Sequence, residues 1–375
     1  MIYFDNAATT RPYKEIIDIY NKVNNECWYN ASSKHRYGLV ARNLFDKATE
    51  LVEKTFKVTN KKVVFTSSAT EANNKAIFGI CKKYANQNKR IITTKYEHPS
   101  VLNCFKNLED SFDVKYLDIL PSGEIDYKQL EEYLNNDTVF VSIMYVNNII
   151  GSINDINKII KLVRKYSRIK LHIDGVQGVG KIKLTFDIND VDLLTASAHK
   201  NHGLKGTAIL LYNKNLDLGL TEYGSGQQVI KSGTIDLAGA VACAKAFEIA
   251  FKNLDDDIKN SYQIKKYIYE ELSKNPNIHL NSLMDNYSPH IINFSYVGVN
   301  SETLMHYLES KDIYVSISSA CNDKLSKPEP VVLELTKNEM YAKSSIRLSF
   351  SSDNTITDGQ KFIEAINSYK KVGKL

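Results

Sequence analysis

Short apolar runs alternate with amphipathic stretches over the first two thirds of the chain. Residues 62–66, 90–94, 112–117, 138–144, 170–174, 191–195 and 207–212 are rich in β-branched and aromatic residues and bounded by polar or glycine-bearing segments, so they read as strands. The run at 138–144, Thr-Val-Phe-Val-Ser-Ile-Met, is the most apolar of them. Helices are expected between the strands. Pro12 opens one that runs to about Asn25, and a polar loop at 29–38 leads into an amphipathic helix ending near Phe56. Further helices start after Ser67-Ser68, after Pro99 and at a capping Asp126 (to about Leu134), and residues 156–166 form another. Strands alternating with helices make βαβ units, hence an α/β fold with a mostly parallel sheet flanked by helices. Ligands in such sheets bind at the carboxyl ends of the strands.

The pattern changes further on. A small-residue helix covers 238 to about 251, and the acidic run Asp255-Asp256-Asp257 is read as the start of a second long helix, in keeping with the helix dipole. Strands at 290–295 and 344–350 flank a helix at 301–309, the run 314–321, and a polar segment at 322–330 with two prolines that reads as a loop; the last helix follows Asp353. A large domain at 12–252 and a smaller α+β domain made of 1–11 and 253–375 are expected. The chain has no internal repeat and no low-complexity linker.

Composition narrows the class. The 375 residues are 43% hydrophobic and 24% charged, with a formal net charge of +5, values ordinary for a globular protein and too modest to argue for nucleic acid as a partner. Cysteines stand at 27, 81, 104, 243 and 321, far apart and without a C-x-x-C pair. That spacing argues against a disulfide framework or a metal site and for a reducing, cytoplasmic setting. The first residues lack a signal-peptide pattern, and no apolar run is long enough to span a bilayer, so no membrane association is expected.

Candidate chemistry collects at the strand ends. Ser68-Ala69-Thr70-Glu71 follows a strand and begins a helix; Glu71 three residues after Ser68 matches a capping box, and the helix N-terminus is also an anion site. His98, Asn147 with Asn148, Asp174 with Gln177, and Ser197-Ala198-His199-Lys200 sit at the ends of successive strands. A lysine whose pKa is lowered by burial can form a Schiff base, and the flanking serine and imidazole can bind a phosphate. Cys321 by itself reads as a small buried apolar residue. Between Ser318-Ser-Ala and the polar, proline-bearing segment it reads better as a nucleophile.

These pieces, together with Asp5-Asn-Ala-Ala-Thr-Thr, Phe65-Thr-Ser-Ser-Ala-Thr-Glu-Ala-Asn-Asn, Glu97-His98, His172-Ile-Asp-Gly-Val-Gln, Ser232-Gly-Thr and Ser344-Ser-Ile-Arg347, resemble the cysteine desulfurases, a branch of the class V, fold-type I pyridoxal-phosphate-dependent transferases. The resemblance runs from Asp5 to about Ser351, and Ser318-Ser-Ala-Cys321 is similar to the first of the two desulfurase groups, typified by iron–sulfur-cluster and nitrogenase-associated enzymes. It implies pyridoxal phosphate carried on Lys200, which also moves protons at the substrate Cα. Asp174 would face the pyridine nitrogen, Gln177 the phenolate oxygen, and His98 would stack on the ring. Ala69, Thr70, Ser197 and His199 would bind the phosphate, and Thr234 the phosphate of a neighbouring subunit, so a homodimer is implied. Arg347, helped by Asn148, would pair with the carboxylate of L-cysteine. Cys321 would attack the substrate sulfur, release L-alanine and keep a persulfide for an acceptor protein, such as an iron–sulfur scaffold or a tRNA-thiolation enzyme. Another class V reaction, amino transfer or selenocysteine or C–S lysis, is the alternative, and a non-catalytic homologue is a third.

The chain departs from that pattern in places. Ala31 stands for a usual proline, Ser68 for glycine, Ile149 for glutamate, Leu204 for proline and Ser318 for glycine. In the glycine-rich loop at 224–234 two arginines and a glutamate of the family pattern are replaced, Lys231 standing for one of the arginines. These differences bear on the dimer loop, the substrate pocket and turnover.

Overall fold

The computed structural model describes residues 1–84, 89–226, 228–317 and 328–369. The chain begins with β1 (Ile2–Tyr3), α1 (Lys14–Glu26) and α2 (Arg36–Thr55). The alternating part follows: β2 (Lys61–Thr66), α3 (Ala69–Tyr84), β3 (Arg90–Thr94), α4 (Pro99–Asn107), β4 (Asp113–Leu117), α5 (Tyr127–Tyr133), β5 (Thr138–Met144), α6 (Ile156–Val163), β6 (Lys170–Asp174), β7 (Leu193–Ser197) and β8 (Ala208–Asn213). The remainder is α7 (Leu237–Ser273), β9 (Ile278–Leu280), β10 (Ile291–Tyr296), α8 (Ser301–Glu309), β11 (Ile313–Tyr314), α9 (Pro330–Thr336), α10 (Glu339–Lys343), β12 (Ser345–Ser349) and α11 (Ile356–Ser368).

Seven strands form the main sheet in the order β2-β8-β7-β6-β5-β3-β4. Every pairing from β7 to β4 is parallel, while β8 runs antiparallel to both of its neighbours. All seven residues of β5, third from the β4 edge, are buried, as a strand covered on both faces requires. The reversal at β8 follows from connection length. A parallel crossover takes a dozen or more residues, and residues 198–207 between β7 and β8 are too few. Gly206, in the left-handed region at φ 83°, helps turn the chain there. This short reversal carries Lys200.

A second, antiparallel sheet, β12-β10-β9, and the parallel pair β1-β11 lie in the C-terminal part. Their core gathers Ile292, Phe294, Leu348 and Phe362 with Ile2 and Phe4 from the chain start. Phe4 meets Phe350 edge-on at 5.1 Å between ring centroids. The first residues are thereby held beside β12.

Three sequence expectations change. The helix expected to stop near 251 and the one expected to begin at Asp255 are one helix, α7. No glycine or proline lies between Phe251 and Asp255, so nothing breaks the backbone ladder there. The N-terminal half of α7 packs through Ala246 and Phe247 into the main core, and its C-terminal half packs through Ile264, Ile268 and Leu272 into the second. Next, α1 begins at Lys14 rather than Pro12, because the Tyr13 N–H donates to the His202 carbonyl at 3.0 Å and its ring stacks on His202 at 4.3 Å, holding residue 13 extended. Helix α6 ends at Val163, short of Tyr166, where the chain turns. In the run 314–321, Tyr314 belongs to β11 and Ser316 bridges to Arg347, and residues 318–321 lie outside the described residues. Strand β9 and the short helices α9 and α10 carry no strong sequence signal. Among the described residues no helix is long and apolar enough to cross a membrane.

Candidate active site

A cavity of about 390 Å³ opens at the carboxyl ends of the parallel strands. Its wall includes Ala69 and Thr70 at the start of α3, His98 at the start of α4, Asn148 after β5, and Asp174 with Gln177 at the end of β6. His199 and Lys200 enter from the β7–β8 reversal, Arg347 from β12, and Ala7 and Ala8 from the chain start. Residues up to 340 positions apart in sequence are thus brought to one place.

One end of the cavity suits an anion. The Ser68 hydroxyl accepts from the Glu71 N–H at 3.1 Å, the first half of the expected capping box. The second half is corrected by the structure. The Glu71 carboxylate reaches past Ser68 to the N–H and hydroxyl of Ser67, both at 2.7 Å, and pairs with Lys231 at 2.7 Å. Burial raises the Glu71 pKa, but hydrogen bonds from Lys231 and Ser67 outweigh it and hold the carboxyl below its usual range. The N–H groups of Ala69 and Thr70, which have no helical carbonyl to meet, stay at the cavity wall. His199 Nδ1 lies 3.2 Å from the Thr9 hydroxyl, and burial with the charge of Lys200 pushes its pKa down to about 4, so the ring is neutral and one nitrogen can donate. Ser197 is not in the wall. It is fully buried, and its Oγ has no hydrogen-bond partner, which leaves a donor to be satisfied there.

The floor holds a connected set of polar groups. Asp174 Oδ1 accepts from the Val176 N–H at 3.0 Å, and Oδ2 accepts from the Asn73 side-chain amide at 2.9 Å. The same amide donates to the Ser100 hydroxyl at 2.9 Å, and that hydroxyl lies 2.8 Å from His98 Nδ1. His98 Nδ1 also accepts from the Ser100 N–H at 3.1 Å. With two donors aimed at it, Nδ1 carries no proton, so the neutral ring bears its proton on Nε2. Burial lowers the His98 pKa and favours that neutral form. Glu97 sits behind this layer. Burial pushes it up to about 8, and one oxygen accepts from the Met144 N–H at 2.9 Å and the Thr94 hydroxyl at 3.0 Å, pinning the end of β5. Asn147 holds the next turn by accepting from the N–H groups of Ile149 and Ile150, and leaves Asn148 to face the cavity.

Lys200 donates to the Ala7 carbonyl at 2.6 Å and to the Ala8 carbonyl. Burial, then repulsion from Arg347, lowers its pKa to about 8 against the opposing pull of Asp5 and Asp174. Far more free amine is therefore present near neutral pH than for an ordinary lysine, although the ammonium still predominates below pH 8. Arg347 donates to the Asn148 carbonyl and to Asp5, each at 2.9 Å, and its Nε is buried without a partner. Spare guanidinium donors at a cavity wall can take a carboxylate.

Asp5, Asn73 and Ser100 were missed as site residues in the sequence. Asp5 and Asn73 stand inside stretches that carried the resemblance, but nothing local tells which side chain turns inward. Thr234 is exposed and does not line the cavity of its own chain. The altered loop around it is anchored on the edge strand β2, where the Gln228 amide exchanges two hydrogen bonds with the backbone of Phe65 at 2.8 and 3.0 Å. Cys321 lies outside the described residues. Ser316 pairs with the backbone of Arg347 at 2.9 and 3.1 Å.

A family model described as aminotransferase class-V matches residues 2–362. A NifS/IcsS protein homolog from Lactobacillus delbrueckii subsp. bulgaricus is 36% identical over 380 residues, which cover 100% of this chain and 99% of its own. The cysteine desulfurase IscS of Dictyoglomus turgidum is 34% identical, with 95% of this chain and 91% of its own covered. The solved structure of a NifS-like protein superposes with a TM-score of 0.90 at 29% identity, over 97% of this chain and 98% of that one.

Proposed function

This chain belongs to the class-V aminotransferase family, among its cysteine desulfurases, and on that premise we propose that it takes the sulfur of L-cysteine onto Cys321 as a persulfide, releases L-alanine, and passes the sulfur to an acceptor protein. The observation that carries this reading is a lysine with a lowered pKa, a strand-end carboxylate, a helix N-terminus and an arginine in one cavity. The residues fit pyridoxal phosphate. The N–H groups of Ala69 and Thr70, the neutral His199 and the unpartnered Ser197 hydroxyl would hold its phosphate. Asp174 would hold the ring nitrogen, Gln177 the phenolate oxygen, His98 the ring face and Lys200 the aldehyde carbon. Bound there, the cofactor supplies an electron sink for bonds breaking at the substrate Cα.

The chain supplies the rest. Arg347 and Asn148 orient the substrate carboxylate, and Lys200 moves the proton at Cα. The Cys321 thiolate attacks the substrate sulfur; an S–S bond forms, the carbon–sulfur bond breaks with its electron pair going to carbon, and protonation there yields alanine. An iron–sulfur scaffold or a tRNA-thiolation enzyme is the proposed class of acceptor. The exposed position of Thr234, away from its own cavity, supports a homodimer in which it reaches the partner's phosphate. Exposed Trp28, Tyr223 and Val229 supply apolar surface for such contacts.

The test is direct. Cofactor-loaded protein given L-cysteine and a reductant is expected to form alanine and sulfide in equal amounts. Amino transfer to a 2-oxo acid without sulfide overturns the reading in favour of another class V reaction. In the same assay Arg347→Ala is expected to lower kcat/KM by about 100-fold, mainly through KM, because a charge-assisted fork is worth about 3 kcal/mol. Capture of pyridoxal phosphate by the apoprotein should also follow the Lys200 amine. Below pH 8 the group is mostly ammonium, so the rate, read by stopped-flow absorbance, falls about tenfold per pH unit on the acid side and levels off above pH 8.

A further inference from the structure

We propose that Lys181 is a positioning residue of this site: it fixes the Gln177 amide so that an N–H, and not the carbonyl, is offered to the bound cofactor. The inference rests on the cofactor reading above and adds a residue to which that reading gives no role. Lys181 follows the turn after β6 and is buried, with a relative exposure of 7%. Gly180 makes the turn with φ 74°, and a Cβ there would stand 2.6 Å from Asn201 Oδ1, so the approach is built into the backbone. The Lys181 carbonyl accepts from His290 Nε2 at 2.7 Å, which ties the residue to the segment before β10. Among the described residues no carboxylate lies within ion-pair distance of its ammonium.

A buried ammonium without a counter-ion is costly, so its contacts are informative. The Lys181 Nζ donates to Gln177 Oε1 at 3.2 Å. On the other side of the same amide, Gln177 Nε2 donates to the Ala7 carbonyl at 2.9 Å. An ammonium can only donate and a carbonyl can only accept. The two neighbours therefore favour one orientation of the amide over its flip, most strongly while Lys181 is an ammonium, below its pKa of about 7. One N–H of Gln177 remains, on a side chain that lines the cavity. If Lys181 were apolar, the flipped amide would lose only the bond to Ala7 and would turn its oxygen toward the cofactor oxygen. The ammonium also strengthens the remaining N–H as a donor, because it polarises the amide through its oxygen.

Cationic groups face Lys181 from several elements. Lys200 from the β7–β8 reversal and Arg347 from β12 repel it, and with burial, the larger cause, they bring its pKa down to about 7. His199, His202 and His290 also lie within its electrostatic reach, all three with lowered pKa values and so neutral near pH 7. Lys181 is the one donor in this group that touches Gln177.

The test is the pH titration of the visible absorbance of pyridoxal-phosphate-loaded protein, read without substrate. A donor on the phenolate oxygen lowers its proton affinity. Lys181→Met, matched in length and apolar, is expected to raise the apparent pKa of that titration by about one unit, a tenfold change in proton affinity. Gln177→Ala should produce a shift of the same sign, and the double variant no more than Gln177→Ala alone, as residues acting in series require. Lys181→Arg, which keeps the donor, should return the titration toward wild type. Lys181→Leu, which also lacks a donor, is carried as a second variant in case Lys181→Met does not fold, and is expected to shift the titration in the same direction. A wild-type titration in folded Lys181→Met or Lys181→Leu, or additive shifts in the double variant, overturns the proposal. A wild-type protein that develops no visible band with pyridoxal phosphate fails the cofactor reading itself, and the two failures are therefore distinct.

Discussion

Lys200→Ala is expected to fold, to attach no pyridoxal phosphate, and to form alanine from L-cysteine at least about 10⁴-fold more slowly than the wild type. Lys200 stands in the short reversal between β7 and β8, where the sheet brings it beside Asp174 of the adjacent strand β6. Among the described residues its ammonium donates to the carbonyls of Ala7 and Ala8 and is repelled by Arg347. Removing it relieves a buried charge, so the fold is not expected to suffer. Loss of the amine leaves the other cofactor contacts in place, and weak, reversible binding of pyridoxal phosphate should persist through them. Dialysis followed by absorbance separates the two kinds of binding: wild type stays coloured and the variant bleaches. A variant that keeps both colour and activity assigns the lysine role elsewhere.

Cys321→Ala is expected to retain the cofactor and its spectrum but to lose sulfide and alanine production by at least about 10³-fold. The other cysteines make the experiment clean. Cys81 and Cys243 are buried and pushed up to about 12, Cys104 to about 11, and Cys27 is also raised by burial. None of these offers a thiolate near neutral pH, and a thiolate is the species that attacks sulfur. Brief treatment with iodoacetamide, followed by mass spectrometry, should therefore label residue 321 and inactivate the protein in step. Incubation with L-cysteine should add one sulfur, 32 Da by mass, to the peptide that contains it. Wild-type sulfide release by Cys321→Ala rules out the persulfide on this residue.

The altered loop at 224–234 has a physical consequence too. The family pattern has an arginine where this chain has Lys231, and here the lysine pairs with Glu71 at the start of α3. That contact pulls the glutamate off the helix cap and toward Ser67. The lysine braces the helix N-terminus at that end of the cavity from the side, through a point charge rather than a planar fork.

Much of the main sheet was legible along the chain. The strands at 90–94, 138–144 and 170–174 and the helix at 301–309 appear at the expected residues. Each is a run whose local pattern and burial agree, so no tertiary contact had to override it. The failures have one cause in common. Asp255, Asp256 and Asp257 look like a helix start because acidic residues favour that place, yet the packing of α7 against both cores carries the helix straight through them. Pro12 looks like a helix opener, yet the His202 carbonyl claims the Tyr13 N–H. Glu71 looks like half of a capping box, yet Lys231, distant in sequence, draws its carboxylate away.

The same division holds for the site. The sequence by itself determined the chemical types and, for most of them, their places at strand ends: the lysine at 200, the carboxylate at 174 and the imidazoles at 98 and 199, with the arginine at 347 inside a strand. These follow from short-range order, since a strand end is where a βαβ chain exposes its polar residues. The tertiary structure alone decided their partners. Asn73 reaches Asp174 from 101 positions away and Asp5 reaches Arg347 from 342, and Gln177 is gripped between Ala7 and Lys181. Hydrogen-bond direction, tautomer and pKa depend on which groups lie within about 3 Å and on how far water is excluded. Those distances are set by strand order and by the packing of the two cores, which no local pattern in the chain encodes.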